Sequence, residues 1–380
     1  MKNIIVFALI MIVITLSACG VEQSISNSSA DDAGNVSAEE TIQSGGGPLD
    51  SSEEQSEAPV AENSTKIQSV VSKNCNFVYH MLAVSNCGYV NDYGSTYKHL
   101  HADTDLQTLK NNEQHLTVSG GEHQGDLYFL CVALPASLDD EIPVSEYFEA
   151  LADLFGTGEI ERNFETYRDI YEQSFSSVAE VSLNSFREFY SANEALKKEI
   201  AEITAVMKDN YGIYSEEVWE KSLAELSVVA AELNKEFANA DYESKWEELL
   251  DYKYGQDAFL ALMCNSMDNG PNAINISEEK DVFYHLGEYT STAKFISHEF
   301  GIYLLMDVLA DTEAFQVYSY YGLTEGLAEY YNMVVSGGLT DWNAGAEYID
   351  FYTQLRDDDP EITAKEMFLR AVDFYKPVSD

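Results

Sequence analysis

The chain has 380 residues, 66 acidic against 21 basic for a formal charge of −45, and 45% of its residues are hydrophobic. That length and apolar content support one large domain, or two of ordinary size, with a real core. Nucleic-acid affinity rests on releasing counterions to Lys and Arg, so this charge excludes nucleic acid as a partner, and it also excludes a basic patch as the route to an anionic membrane.

Lys2 and Asn3 open an apolar run from Ile4 to Leu16, too short for a secure spanning helix, which leads into Leu16-Ser17-Ala18-Cys19. A positive start, a short apolar core and small residues before a Cys define an export signal over residues 1–18. The Leu-Ser-Ala-Cys ending resembles the bacterial lipobox. That resemblance implies a lipidated Cys19 at the mature N-terminus and an extracytoplasmic protein anchored to the cell membrane through it. Each acyl methylene buried in the bilayer contributes about 0.8 kcal/mol, so lipid can hold a protein that has no basic patch. Residues 19–66 have no aromatic side chain and a single basic one, Lys66, among many acidic ones, the composition of a disordered acidic tether.

Cys75, Cys87, Cys131 and Cys264 remain. Outside the cell they permit disulfides in three connectivities, with Cys75–Cys87 and Cys131–Cys264 the pairing of nearest neighbours; isolated buried thiols are the alternative.

Residues 67–256 read as a mostly helical N-terminal region. It begins with mixed apolar stretches, Phe77 to Leu82 and Leu127 to Val132, and continues with three- and four-residue apolar spacing over Val144 to Leu154, Thr166 to Phe175, Val178 to Tyr190 and Ala192 to Asp209. In residues 257–380, Ala258 to Cys264 is a buried strand or a helical turn, Asn269-Gly270-Pro271-Asn272 is turn chemistry, and Ala273 to Ile276 and Val282 to Leu286 are short strands. Helical patterning returns from Thr292 to the end, where Asp357 to Glu361 reads as a helix start with Pro360 at its first position. Asp341, Asn343, Gly345 and Glu347 loosely echo a calcium loop without its ligand order, and are read as structural. The fold class expected is α+β, predominantly α-helical, with a small β element ahead of the helix that begins near Thr292.

That helix carries His298 and Glu299 side by side, and a downstream helix reads Gly322-Leu323-Thr324-Glu325-Gly326-Leu327-Ala328-Glu329-Tyr330-Tyr331, with Thr324 as its N-cap and Gly337-Gly338 as its stop. Here residues 257–332 resemble the gluzincin metallopeptidases, in which a helix bears His-Glu-x-x-His and a second helix supplies a Glu ligand. Two imidazoles four positions apart share one zinc ion, and the Glu beside the first takes a proton from metal-bound water. The resemblance implies zinc as cofactor, His298 and Glu325 as metal ligands and Glu299 as general base.

The second-ligand position is Ile302. Isoleucine has no lone pair, so two protein ligands remain where catalytic zinc sites use three. His285 is the other histidine of this half of the chain, and Tyr303 projects about 100° around the helix from Ile302. The expectation is a membrane-anchored lipoprotein with a metallopeptidase-like domain whose catalysis is weakened or lost. The alternatives are an active zinc-dependent peptidase and a non-catalytic lipoprotein that binds peptide, protein or solute.

Overall fold

Four short strands, β1 (Ile67–Val70), β2 (Phe259–Cys264), β3 (Ala273–Ser277) and β4 (Lys280–Tyr284), form one sheet in the order β1-β2-β4-β3. They are seen in a computed structural model that describes residues 65–117, 125–175, 181–316, 321–338 and 346–375. β1 and β4 both run parallel to β2, and β3 pairs antiparallel with β4 in a register that sets Asn275 opposite Asp281. The strand of residues 67–256 thus shares a sheet with the three strands of residues 257–380.

The connection from β1 to β2 is helical. It comprises α1 (Lys73–Val84), α2 (Asp92–Tyr97), α3 (Asp103–Asn111), α4 (Glu113–Leu116), α5 (Leu134–Ser137), α6 (Val144–Thr157), α7 (Ile160–Thr166), α8 (Arg168–Phe175), α9 (Leu183–Asn193), α10 (Lys197–Glu217), α11 (Trp219–Ala240) and α12 (Tyr242–Leu250). After the sheet come α13 (Tyr289–Leu309), α14 (Tyr321–Ser336), α15 (Ile349–Asp358) and α16 (Ala364–Tyr375). The protein is therefore α+β and mostly helical, and the expected strands and the helices from Val144 onward fall on observed elements. The segment Phe77–Leu82 lies within α1, which is buried on nearly every side, so its sequence carries no two-sided pattern.

Strand alternation divides the apolar side chains between two cores. Leu262 and Cys264 of β2, Ile274 of β3 and Val282 of β4 join Phe77, Tyr147, Leu151 and Ile203 on one side. Phe259, Ala261 and Met263 of β2 and Phe283 of β4 join Trp246, Phe300, Leu327 and Phe368 on the other. The outer edge of β1 is covered by Asn234 of α11: the Ser69 N–H donates to its Oδ1 at 2.7 Å, and its Nδ2 donates to the Ser69 carbonyl at 2.9 Å. One amide side chain thus stands where a further strand would pair.

The four cysteines are buried free thiols, the alternative to the disulfides, packed into the first core as small hydrophobes, and burial pushes the Cys264 thiol up to about 11. Two expectations are corrected. Asp357 and Asp358 end α15 instead of starting a helix; α16 is begun by Thr363, whose Oγ1 accepts the Glu366 N–H at 3.2 Å. Thr324 lies inside α14, which begins at Tyr321, whereas Gly337 stops that helix as expected, at φ 74° and with its N–H on the Met333 carbonyl at 3.0 Å. Cys19, the signal segment, the tether through residue 64 and Asp341, Asn343 and Gly345 lie outside the described residues. Among the described residues no helix is long and apolar enough to cross a membrane.

Candidate functional site

α13 is a core helix with three occupied faces, each set by side chains four apart. Ser297 and Gly301 meet α12: the Trp246 indole N–H donates to Ser297 Oγ at 3.0 Å, and a Cβ on Gly301 would lie 2.1 Å from the indole ring. His298 meets α14. Glu299 and Tyr303 meet the sheet. The start of the helix is fixed by Thr292, whose Oγ1 accepts the Leu286 N–H at 3.0 Å.

α14 runs antiparallel to α13, since Asn332 donates to the Lys294 carbonyl at 3.1 Å while the earlier residues Glu325 and Glu329 reach the later His298. These two carboxylates, one turn apart on α14, grip the imidazole from both ends. His298 Nε2 is 3.2 Å from Glu325 Oε2, and Nδ1 is 3.0 Å from Glu329 Oε2. His298 and Glu329 are wholly buried, and Glu299 and Glu325 are 3% and 7% exposed, so this group is closed to water.

On the sheet side, Asn275 Nδ2 donates both to Glu299 Oε2 and to Asp281 Oδ2, at 3.0 Å each. Asp281 Oδ1 accepts the Ile276 N–H and the Tyr303 hydroxyl, each at 2.8 Å. Asn275 and Asp281 point toward α13 because they sit on the strand face that also carries Phe283, and because the β3–β4 register places them opposite one another.

The electrostatics follow from burial and neighbours. Burial raises the Asp281 carboxyl well above its ordinary value, with Glu299 adding to the shift against three hydrogen bonds. Burial lifts Glu299 to about 7, opposed by the His298 cation and assisted by Glu325. Burial alone would depress His298, but the Glu325 and Glu329 carboxylates outweigh it and hold the imidazolium up to about 10. Three carboxylates, Glu299, Glu325 and Glu329, therefore act on one cation, and Glu299 and the Asp281 carboxyl beyond it are pushed toward their neutral form.

Sequence reasoning placed His298, Glu299 and Glu325 together, and the structure brings all three into one cluster. Ile302 lies one turn beyond His298, 9% exposed, and is part of the apolar core. His285 is half-buried, its ring stacked 5.1 Å from Tyr289. Glu329, Asn275, Asp281 and Asn332 went unread. The four-residue spacing from Glu325 to Glu329 would have found the first; the others depend on strand register and helix pairing.

As a zinc site the arrangement is short of donors. Ile302 supplies none, and among the described residues no group of three or more His, Cys, Asp or Glu side chains is arranged to hold a metal ion. The residues present do not fit a three-ligand catalytic zinc. No family model, curated protein or solved structure matches the chain.

Proposed function

We propose that this is a lipid-anchored extracytoplasmic bacterial protein, built like a gluzincin metallopeptidase, that works without catalysis as a binding scaffold for a peptide or protein. The observation that carries this reading is the His298 cluster. Where the peptidase resemblance calls for a second imidazole there is a buried Ile302, and both nitrogens of the remaining imidazole face carboxylates, Glu325 and Glu329. An internal cation thus occupies the place of the metal, and its ion pairs hold α13 to α14. The net charge of −45 favours a partner richer in Lys and Arg than in Asp and Glu, because long-range attraction steers such a partner to the surface and repels an acidic one. The anchor rests on the Leu16-Ser17-Ala18-Cys19 sequence.

Metal analysis of protein purified without chelators tests this directly. Zinc well below one equivalent, with no peptide hydrolysis, is the expected result. One tightly held equivalent, together with hydrolysis abolished in Glu299→Gln, would restore the active-peptidase reading. In the same preparations Cys19→Ser should move the protein from the membrane fraction to the soluble one.

A further inference from the structure

A second buried polar group lies far from α13, on the other side of the sheet. His80 of α1 is wholly buried in the first core and lies against the rings of Tyr93 and Tyr97 of α2 and Tyr214 of α10. Its Nδ1 is 2.9 Å from the Tyr93 hydroxyl, and its Nε2 is 2.8 Å from Nε2 of the buried His101. His101 Nδ1 is in turn 2.7 Å from Asn210 Oδ1 on α10. The Asn210 amide is oriented by its own donor, since Nδ2 gives hydrogen bonds to the Val206 carbonyl at 2.8 Å and to Asp105 Oδ2 of α3 at 3.0 Å.

These contacts fix every proton in the neutral state. Asn210 Oδ1 can only accept, so His101 carries its hydrogen on Nδ1 and presents a lone pair at Nε2. His80 must then donate from Nε2, which leaves its Nδ1 to accept from the Tyr93 hydroxyl. The chain runs in one direction, from Tyr93 through His80 and His101 to Asn210 and Asp105. A second proton between the two Nε2 atoms would set N–H against N–H at 2.8 Å. The pair can therefore gain one proton and not two. That proton, taken from water, sits on His80 Nδ1 and turns Tyr93 from donor to acceptor.

We propose that His80 and His101 form a one-proton switch that fastens α1 to α2, α3 and α10 while neutral and loosens that seam on acidification. The titratable and charged groups facing the pair are Tyr93 and Tyr97 on α2, His99 in the turn after it, Asp105 on α3, and Tyr214 on α10. Lys221 on α11 lies over the Tyr97 ring, and Glu225 on α11 and Cys264 at the end of β2 act on Tyr93. Among the described residues no carboxylate hydrogen-bonds or ion-pairs with His80 itself, so a charge there has no such partner. Burial accordingly draws His80 well below the ordinary histidine range, assisted by His101, and burial also lowers His101, against the opposing pull of Asn210 and Asp105. The open state takes up two protons as pH falls through the ordinary range near 6.5, and the closed state resists them, so acid favours opening.

Nitrogen-detected NMR of the histidine side chains in the wild-type protein at pH 7 tests the geometry. It should find the proton of His80 on Nε2 and that of His101 on Nδ1, with neither ring titrating near 6.5. The opposite tautomer in either ring, or an ordinary titration, overturns the proposal without any variant. Hydrogen exchange of the α1 amides between pH 6 and pH 5 tests the consequence. Wild type should open with one more proton than His101→Gln, so its opening constant should rise about tenfold more steeply per pH unit. Equal slopes would refute the switch.

Discussion

Replacing His298 by Leu removes the cation from between Glu325 and Glu329 while keeping roughly the same volume. The contacts are 3.2 and 3.0 Å. At an effective dielectric near 20 each is worth about 5 kcal/mol of gross attraction. Much of that is offset by taking the charges out of water, but removing one partner of a buried pair typically costs about 3–5 kcal/mol, because the opposite charge stays behind unpaired. Two carboxylates are stranded here, which places the variant in the upper part of that range, and its Tm should fall by about 10 °C. The pH dependence is the sharper test. His298 is held up to about 10 from an ordinary 6.5, so its stabilisation is complete below about pH 6.5 and is lost as pH climbs toward 10. Glu299, raised from 4.5 to about 7 by burial, adds a loss between those two values as pH rises. In the Leu variant the loss between pH 6.5 and 10 that His298 causes should vanish. Chemical denaturation from pH 5 to pH 10 measures it. A variant within about 1 kcal/mol of wild type at pH 7, with an unchanged slope above it, would refute the reasoning.

Ile302→His restores an imidazole one turn from His298, and titration with zinc should show affinity raised at least about 100-fold, given that losing even an outer partner of a metal ligand costs about 10- to 100-fold. No gain would mean that α13 and α14 are not set as a metal-binding pair. Gly301→Ala drives a methyl into the Trp246 ring and should cost about 3 kcal/mol in thermal unfolding, with much of the loss recovered in a Trp246→Leu background. Independent, additive effects would show that the indole does not pack there.

The features that were legible in the sequence are those written in local spacing. The His298-Glu299 helix, the Glu325 helix and its Gly337 stop follow from periodicity and end signals, as do β3 and β4. The pairing of Asn275 with Asp281 was not legible, because it depends on strand register. A polar residue on a strand gives no sign of which partner will face it until the hairpin is closed. The sequence left Phe77 to Leu82 as an apolar stretch with no assigned element for the opposite reason: a helix buried all round, as α1 is, looks in sequence like any apolar run. Thr324 has the chemistry of a cap, but α14 starts a turn earlier, so tertiary packing decided the boundary. The His80–His101 contact joins residues on separate elements and leaves no trace in local spacing.

The Asn234 clamp on β1 also bears on mechanics. On the lipoprotein reading, the chain is held at Cys19 and any tension on the anchor enters the folded body at Lys66, whose N–H donates to Glu243 Oε2 at 2.7 Å, and passes into β1. Four residues in register with Phe259–Leu262 on one side, and the Asn234 amide on the other, then share the load. Pulling along the strand must shear these hydrogen bonds together instead of peeling them one by one. The first strand is thus a mooring point as well as the edge of a sheet.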